Sequence, residues 1–278
     1  MIRTINKIVT GSTQYDGAGV KLVRVIGYNT VQEFDPFLML DAFDSDDPND
    51  YIKGFPWHPH RGIETVTYLI KGDIEHGDSL GNKGSILDGC CQWMTAGSGI
   101  LHQEMPKETE RMLGIQLWLN LPSVHKMAAP KYHDIKANMI PKIVEDGLEI
   151  RIISGHYKEV AGAVQGEYVK MQFLDVNMQP DATWELQTNR DDNVFVYIVE
   201  GAGWFVESKE QMLTNRRAVL FNKGTTFKAT ASNNGMRLLL FAAPSLKEPV
   251  AWGGPIVMNT QHELDVAFRE LDTGTFIK

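Results

Sequence analysis

Short apolar runs rich in Val, Ile, Phe, Tyr and Thr recur along the chain, and turns containing Gly, Asn or Asp separate many of them. Examples are ETVTYLIKGDIEH, RMLGIQLWLNL, LEIRIISG and MRLLLFAAP. Such runs predict an all-β sandwich or barrel, because each is long enough for one strand and a turn then reverses the chain. At 278 residues the chain can form one large domain or two medium ones.

Only the C-terminal segment has a clear helical pattern. Thr260 can cap a helix, and Glu263 follows at the spacing of a capping box. The apolar stripe that follows is formed by Leu264, Ala267, Phe268 and Leu271. Gly274 then ends the pattern, so the sequence predicts one short helix over about 260–272.

The two halves of the chain resemble each other weakly. Residues 68–72 (YLIKG) match residues 197–201 (YIVEG), and each segment reads as a strand that enters a glycine turn. Between the halves, residues 129–142 (APKYHDIKANMIPK) contain two prolines and many polar residues, which suits a linker. We therefore expect two domains, at residues 1–130 and 131–278, with the helix at the end of the second.

Composition excludes several classes of function. The formal net charge of -8 argues against direct binding to nucleic acid, which needs a basic surface. No run of 18 apolar residues is present, and the first residues lack the apolar core of a secretion signal. Cys90 and Cys91 are adjacent and have no other cysteine to pair with. We expect a cytoplasmic monomer that does not enter a membrane.

Residues 58–64 read HPHRGIE and suggest a metal site. Alternate residues of a strand share a face, so His58, His60 and Glu64 are expected to point the same way. The same face continues through three apolar residues, Val66, Tyr68 and Ile70. It should therefore face a barrel interior. Metal ligation is the simplest reason for two imidazoles there, because neutral imidazole binds Fe, Zn, Cu and Ni.

A second cluster, GSGILHQE, covers residues 97–104. By the same alternation His102 and Glu104 share a face, so two strands could supply four ligands to one ion. An isolated H-x-H pair is weak, because such pairs are more often surface or core structure. The combination of H-x-H-x3-E with G-x-G-x2-H-x-E is much more specific.

The stretch FPWHPHRGIETVTYLIKGDIEHGDSLGNKGSI, followed by QWMTAGSGILHQEMP, resembles the signature of the pirin family within the cupin superfamily. The upstream PFLMLDAF and the distal EPVAWGGPIVMNT resemble it too, so the likeness runs from about Gly27 to Phe276. It implies an all-β bicupin, in which two cupin-type antiparallel β-barrels are stacked and a short C-terminal helix follows. The N-terminal barrel would carry one divalent metal, Fe(II), with Ni, Cu, Mn or Zn as alternatives.

By position, the resemblance implies His58, His60, His102 and Glu104 as metal ligands. Glu64 stands where the general cupin pattern has its ligand, and here it is expected to lie behind the ligands. The matching segments 68–72 and 197–201 are 129 residues apart. Adding 129 to the four ligand positions gives Gln187, Asn189, Ala231 and Asn233. None of these is a histidine or a carboxylate, so we expect no metal site in the C-terminal barrel.

The resemblance implies a metal-dependent dioxygenase of the quercetinase (quercetin 2,3-dioxygenase) type, with dioxygen and a flavonol-like aromatic molecule as substrates. Glu104 would accept the flavonol hydroxyl proton as the catalytic base. One alternative is a regulatory protein that binds protein partners according to the redox state of its iron. Another is a metal that serves stability alone.

The remaining candidate residues are expected to be structural. The histidines in polar or loop contexts, expected at the surface, are His76, His125, His133, His156 and His262. Trp93 and Met94 are expected in the core, and Arg61 is expected to be structural. Alternation places one thiol of the Cys90–Cys91 pair inward and the other outward, and the pair departs from the Asp-Val usual in the family.

Overall fold

The structure is a computed structural model that describes residues 1–205 and 211–278. The chain divides into two compact units. The first unit comprises Ser12–Gln32, Pro36–Ala137 and Leu246–Lys278. The second comprises Met1–Gly11, Glu33–Asp35 and Asn138–Ser245.

Strands dominate both units, and we number them in chain order. The first twelve are β1 (Ile5–Thr10), β2 (Ser12–Asp16), β3 (Val20–Ile26), β4 (Phe37–Ser45), β5 (Phe55–His60), β6 (Ile63–Lys71), β7 (Ile74–Asp78), β8 (Lys83–Ile86), β9 (Cys91–Thr95), β10 (Ile100–Pro106), β11 (Met112–Asn120) and β12 (Lys131–Ile135). The others are β13 (Lys142–Glu145), β14 (Leu148–Ser154), β15 (His156–Tyr157), β16 (Val160–Ala161), β17 (Gln172–Met178), β18 (Thr183–Gln187), β19 (Asn193–Trp204), β20 (Leu213–Thr214), β21 (Arg217–Phe221), β22 (Thr226–Ala243), β23 (Ala251–Gly253) and β24 (Ile256–Met258).

Helices are few in the described residues. Helix α1 spans Gln261–Asp272, and Thr260 and Glu263 form the predicted capping box at its start. Four short 3-10 turns lie at Tyr28–Thr30, Pro48–Asp50, Ser123–His125 and Ala137–Met139. None of these helices combines the length and hydropathy needed to span a bilayer. The predicted all-β class with a C-terminal helix is confirmed.

In the first unit, antiparallel strands form two sheets. The larger has the order β12-β9-β6-β11-β4-β3-β2, and the smaller has the order β5-β10-β7-β8. A β23–β24 hairpin belongs to the same unit, and α1 packs Leu264 and Ala267 against buried residues of that hairpin. The order differs from the chain order, so residues far apart in sequence become neighbours on one face.

The second unit is built on a nine-stranded antiparallel sheet. Its main path is β1-β21-β19-β22-β17-β14-β13, with β18 beside β22 and β20 beside β19. The matching segments 68–72 and 197–201 occupy equivalent places, because β6 and β19 both lie between two partner strands. Each strand runs to a glycine with positive φ, Gly72 in the first case and Gly201 within β19 in the second.

The observed units differ from the predicted division at three points. Strand β1 pairs with β21 of the second unit, while β23, β24 and α1 belong to the first. Residues 131–135, predicted as part of a linker, form β12 and pair with β9. Partner choice in an antiparallel sheet depends on long-range packing, which the local pattern of prolines and polar residues does not encode.

Candidate metal centre

Three histidines meet on one face of the smaller sheet of the first unit. Strands β5 and β10 pair antiparallel, with His102 opposite His58 and Ile100 opposite His60. The ring centroids of His58 and His102 are 4.3 Å apart, and that of His60 lies 4.9 Å and 5.0 Å from them. The potential ligand nitrogens all lie within 4.8 Å of one another. They are close enough to converge on a single ion.

Backbone carbonyls orient two of the imidazoles. Nδ1 of His58 donates to the Pro56 carbonyl at 2.8 Å, and Nδ1 of His60 donates to the Pro255 carbonyl at 3.0 Å. A carbonyl can only accept, so Nδ1 carries a hydrogen in both rings, and in a neutral ring the lone pair is then on Nε2. Metal-binding histidines are commonly held in this way.

The third imidazole is the clearest sign that a metal fits here. Within the part of the chain that the structure describes, both ring nitrogens of His102 are buried without a hydrogen-bond partner. Burial and the neighbouring His60 and His58 hold the pKa of His102 well below its ordinary value. Burial also lowers the pKa of His60 to about 3. Neutral imidazoles are the form that binds metals, so these residues fit a divalent ion.

Glu104 lies two residues after His102 on β10 and is buried. Its Oε1 accepts a hydrogen bond from Thr67 Oγ1 at 3.0 Å, and its Oε2 accepts one from Gln116 Nε2 at 2.7 Å. A bulge between His102 and Glu104 shifts the pairing with β5. Among the described residues, Glu104 is outside the group of donor atoms within 4.8 Å, so its ligation of metal stays a prediction.

Glu64 and Thr67 lie on opposite faces of β6, and Thr67 is the residue that contacts Glu104. Oε1 of Glu64 accepts a hydrogen bond of 2.7 Å from Thr95 Oγ1, whereas Thr67 points to the metal centre. The predicted single face from His58 to Ile70 is therefore wrong. The chain turns between β5 and β6 at Gly62, where φ is +77° and a Cβ would lie 2.0 Å from the Val257 carbonyl oxygen. The placement of Glu64 behind the ligands stays a prediction.

Aromatic side chains lead from the histidines to the surface. The Trp118 ring lies 4.9 Å from the His60 ring, and Trp118 Nε1 donates to Gln116 Oε1 at 3.2 Å. The ring centroid of Trp252 lies 5.9 Å from that of Trp118, and the ring centroid of Tyr28 lies 5.8 Å from that of Trp252. Tyr28 is 71% exposed, while Trp118 is buried. The sequence did not decide which face of β11 lines the site, and Gln116 and Trp118 lie on that face.

His76 is buried, so its predicted surface position is wrong. It lies opposite Glu104 in the β7–β10 pair, its Nδ1 contacts the Tyr132 hydroxyl, and its Nε2 is 3.4 Å from Asp134 Oδ1. Burial lowers the pKa of His76. The overlooked signal was its alternation with Ile74, which is also buried. The other histidines predicted at the surface are exposed: His125, His133, His156 and His262.

Two buried cations support the turn after the histidine pair. Arg61 donates to the carbonyls of Ser98 and Phe276 at 2.7 Å and 2.8 Å, and it pairs with Glu270 at 2.7 Å. Its predicted structural role is confirmed. Lys126 Nζ donates to the oxygens of Gly62, Asn120 and Val257 at 2.8 Å, 2.6 Å and 2.8 Å. Nothing in the local sequence of Lys126 indicated this contact.

The adjacent cysteines have different environments. Cys91 is buried and Cys90 is half-buried, and both are free thiols. Burial, with a further contribution from Cys90, raises the pKa of the Cys91 thiol. Trp93 and Met94 are buried, which confirms their predicted place in the core.

Antiparallel sheets that direct three imidazoles at one point define a metal-binding protein of the cupin type. Residues 19–119 match the family model described as Pirin, and residues 173–277 match the one described as Pirin C-terminal cupin domain. The chain belongs to the pirin family of the cupin superfamily, as the resemblance in its motifs implied. The expected pair of cupin domains is confirmed.

Relatives match over nearly the full length. A pirin-like protein of Caulobacter vibrioides is 41% identical over 278 residues, covering 99% of each chain. The crystal structure of a quercetin 2,3-dioxygenase from Acinetobacter baumannii has a TM-score of 0.90 and 30% identity, covering 99% of each chain. A bacterial pirin from Escherichia coli, solved in complex with nickel(II), shares the fold at a TM-score of 0.67 and 19% identity, covering 86% of this chain and 99% of its own.

Proposed function

We propose that this protein is an Fe(II)-dependent dioxygenase that cleaves the heterocyclic ring of flavonols, as a quercetinase does. The observation that carries the proposal is the convergence of His58, His60 and His102 beside the buried carboxylate of Glu104. The Acinetobacter baumannii relative bears the name of this activity. Nickel(II) in the Escherichia coli pirin supports a divalent ion and keeps Ni, with Cu, Mn and Zn, as alternatives to Fe.

The proposed ligands are Nε2 of His58 and His60, one ring nitrogen of His102, and a carboxylate oxygen of Glu104. When bound, the metal would supply a Lewis-acid and redox centre that brings the organic substrate and dioxygen together. The protein fixes the direction of the first two nitrogens through the carbonyls of Pro56 and Pro255.

Glu104 is also the proposed base that takes the proton of the flavonol 3-hydroxyl. Each of its oxygens accepts one hydrogen bond, from Thr67 and from Gln116, and keeps a further lone pair. The two donors therefore hold the carboxylate in one orientation without using up its capacity to accept a proton. They also fix its position relative to His102 on the same strand.

The surroundings of the histidines support the proposed substrate class. The Trp118 ring packs against His60, and Trp252 and Tyr28 continue this aromatic surface toward solvent. Flat aromatic molecules pack well against such rings, in offset-stacked or edge-to-face geometry. This surface supports a planar substrate that reaches the metal from the Trp118 side.

Two measurements test the proposal together. The first is elemental analysis of protein purified without added metal, and the second is quercetin turnover after anaerobic Fe(II) loading followed by air. We expect metal-dependent loss of quercetin with release of carbon monoxide, and its abolition in His102→Ala but not in His133→Ala. If the loaded protein leaves quercetin intact, the dioxygenase proposal is wrong. A protein partner captured differently by the Fe(II) and Fe(III) forms would then support a regulatory function.

A further inference from the structure

Two buried polar side chains near the metal centre have no hydrogen-bond partner. Both side-chain amide atoms of Gln92 and the hydroxyl of Thr65 are unpaired within residues 1–205 and 211–278. Each residue is only 1% exposed. Most buried polar groups are paired, because burial without a partner is costly.

Strand pairing places both side chains on the face that looks at the metal centre. Gln92 is directly opposite Thr67, whose hydroxyl contacts Glu104. Thr65 is directly opposite Trp118, whose ring packs on His60. Residues directly opposite in an antiparallel pair have their side chains on the same face. Gln92 and Thr65 therefore belong to the wall that faces the histidines.

A metal ion would satisfy His102, but it would leave this pair unexplained. The amide of Gln92 offers a donor and an acceptor, and the hydroxyl of Thr65 can act as either. A ligand hydroxyl group can satisfy both functions. A carboxylate cannot, because it only accepts hydrogen bonds. It would also be repelled by the nearby carboxylates of Glu104 and of Asp134, which lies opposite Gln92.

We infer that Gln92 and Thr65 form a polar subsite that binds neutral hydroxyl groups of an aromatic substrate, separate from the oxygens that reach the metal. The inference rests on the proposed function for the orientation of that substrate. It makes these two side chains the specificity determinants of the wall opposite the metal. Substrates with hydroxylated rings would then be preferred over those with unsubstituted rings.

The test compares two flavonols on the metal-loaded protein without dioxygen, so that neither is consumed. Quercetin carries hydroxyl groups on its outer rings, and 3-hydroxyflavone carries only the 3-hydroxyl. We expect wild-type protein to bind quercetin more tightly. In Gln92→Met, quercetin affinity should fall about tenfold while 3-hydroxyflavone affinity is unchanged. Thr65→Val should show the same pattern with a smaller loss of quercetin affinity. Both substitutions nearly keep the side-chain volume and remove only hydrogen-bonding atoms.

Three controls make the result decisive. Metal content should equal that of wild type, and the melting temperature of Gln92→Met should not fall, because an unpaired buried amide has been removed. Gln187→Met, the same change on β18 of the other unit, should bind both ligands as wild type does. Unchanged quercetin affinity, an equal loss for both ligands, a lowered melting temperature or no binding by wild type would each overturn the inference. Binding without turnover would instead overturn the proposed reaction and leave the subsite in place.

Discussion

Nε2 of Gln116 lies 2.7 Å from Oε2 of Glu104, and Oε1 of the same glutamine accepts the indole N–H of Trp118 at 3.2 Å. One amide therefore connects the proposed base to the ring that packs on His60. Because the amide uses both ends, its orientation is fixed, and so is the direction of its N–H toward the carboxylate. The orientation of Glu104 thus depends on a residue that is not itself a ligand.

Replacing Gln116 with Leu should lower turnover by about 10–100-fold, the usual effect of removing a group that orients a ligand. We expect the loss mainly in kcat, because the carboxylate loses its direction while the histidines keep theirs. Steady-state kinetics and metal analysis on the same preparation check this. Gln116→Glu should not rescue the activity, since it cannot donate to Glu104 at neutral pH. Normal kcat in the Leu variant would contradict the assigned role.

Removing His60 or His102 should abolish stable metal binding. Each contributes one of the three converging nitrogens, and the two remaining nitrogens with the proposed ligand Glu104 would hold the ion weakly. Elemental analysis after dialysis against a weak chelator measures the effect in His60→Ala and His102→Ala. His133→Ala is the matched control, because His133 is an exposed histidine on β12 of the same unit. Full metal content in either of the first two variants would refute the site.

The stability of the metal-free protein should fall on acidification. The folded-state pKa values of His60 and His102 lie below the ordinary value, so the unfolded chain binds more protons below about pH 6.5. The unfolding free energy is therefore highest above that pH and decreases as the pH falls toward the folded-state pKa values of these two imidazoles. Between about pH 6.5 and 5, protonation in the unfolded chain should lower the unfolding free energy by about 2 kcal/mol for His60, whose folded-state pKa is about 3, and His102 should act in the same direction. Urea unfolding in the presence of chelator measures this difference.

His60→Asn should reduce the dependence of the unfolding free energy on pH, because one of the two groups no longer titrates. His133→Asn should leave it unchanged. An unfolding free energy that is equal at both pH values in the wild type would show that these imidazoles are not buried in solution.

Arg61→Met should destabilise the first unit strongly. The substitution removes a buried guanidinium that joins Ser98, Glu270 and Phe276, and breaking such a pair typically costs about 3–5 kcal/mol. Thermal unfolding compares this variant with Arg111→Met. Arg111 pairs with Asp44 at the surface, where a loss of about 0–1 kcal/mol is usual. Equal melting temperatures of the two variants would contradict the argument.

Alkylation should distinguish the two cysteines. Cys91 is buried and its thiol pKa is raised, so little reactive thiolate is available in the native state. We expect iodoacetamide to modify Cys90 first and Cys91 only after unfolding, as followed by peptide mass spectrometry. Cys90→Ser should then give a native protein that resists modification. Rapid labelling of Cys91 in that variant would show that β9 opens readily.

Local sequence patterns predicted the strands, the helix and the clustered histidines. Thr260 and Glu263 marked the start of α1, because a capping box is a contact between neighbours in sequence. The pairs His58 with His60 and His102 with Glu104 were visible through alternation within single strands. These features need only a few consecutive residues to be recognised.

Features that depend on pairing between strands were missed or misjudged. The prediction for the face of Glu64 was wrong because the turn at Gly62 separates β5 from β6. Counting alternate residues across that turn fails. His76 was predicted at the surface because its local sequence is polar. Its contact with Tyr132, in a segment predicted as linker, could not be seen from that sequence. The positions of Gln92 and Thr65 likewise became clear only from the order of the larger sheet.

The carbonyl that accepts the Nδ1 hydrogen of His60 comes from Pro255, in the returning C-terminal segment. A fragment cut after residue 130 would retain all four proposed ligands yet lack the group that selects the tautomer of one of them. Isolating the N-terminal half is therefore a poor route to a minimal form of the proposed metal site. Fusions and tags near the C-terminus would be attached to the unit that carries the proposed metal site, although the gene separates them widely.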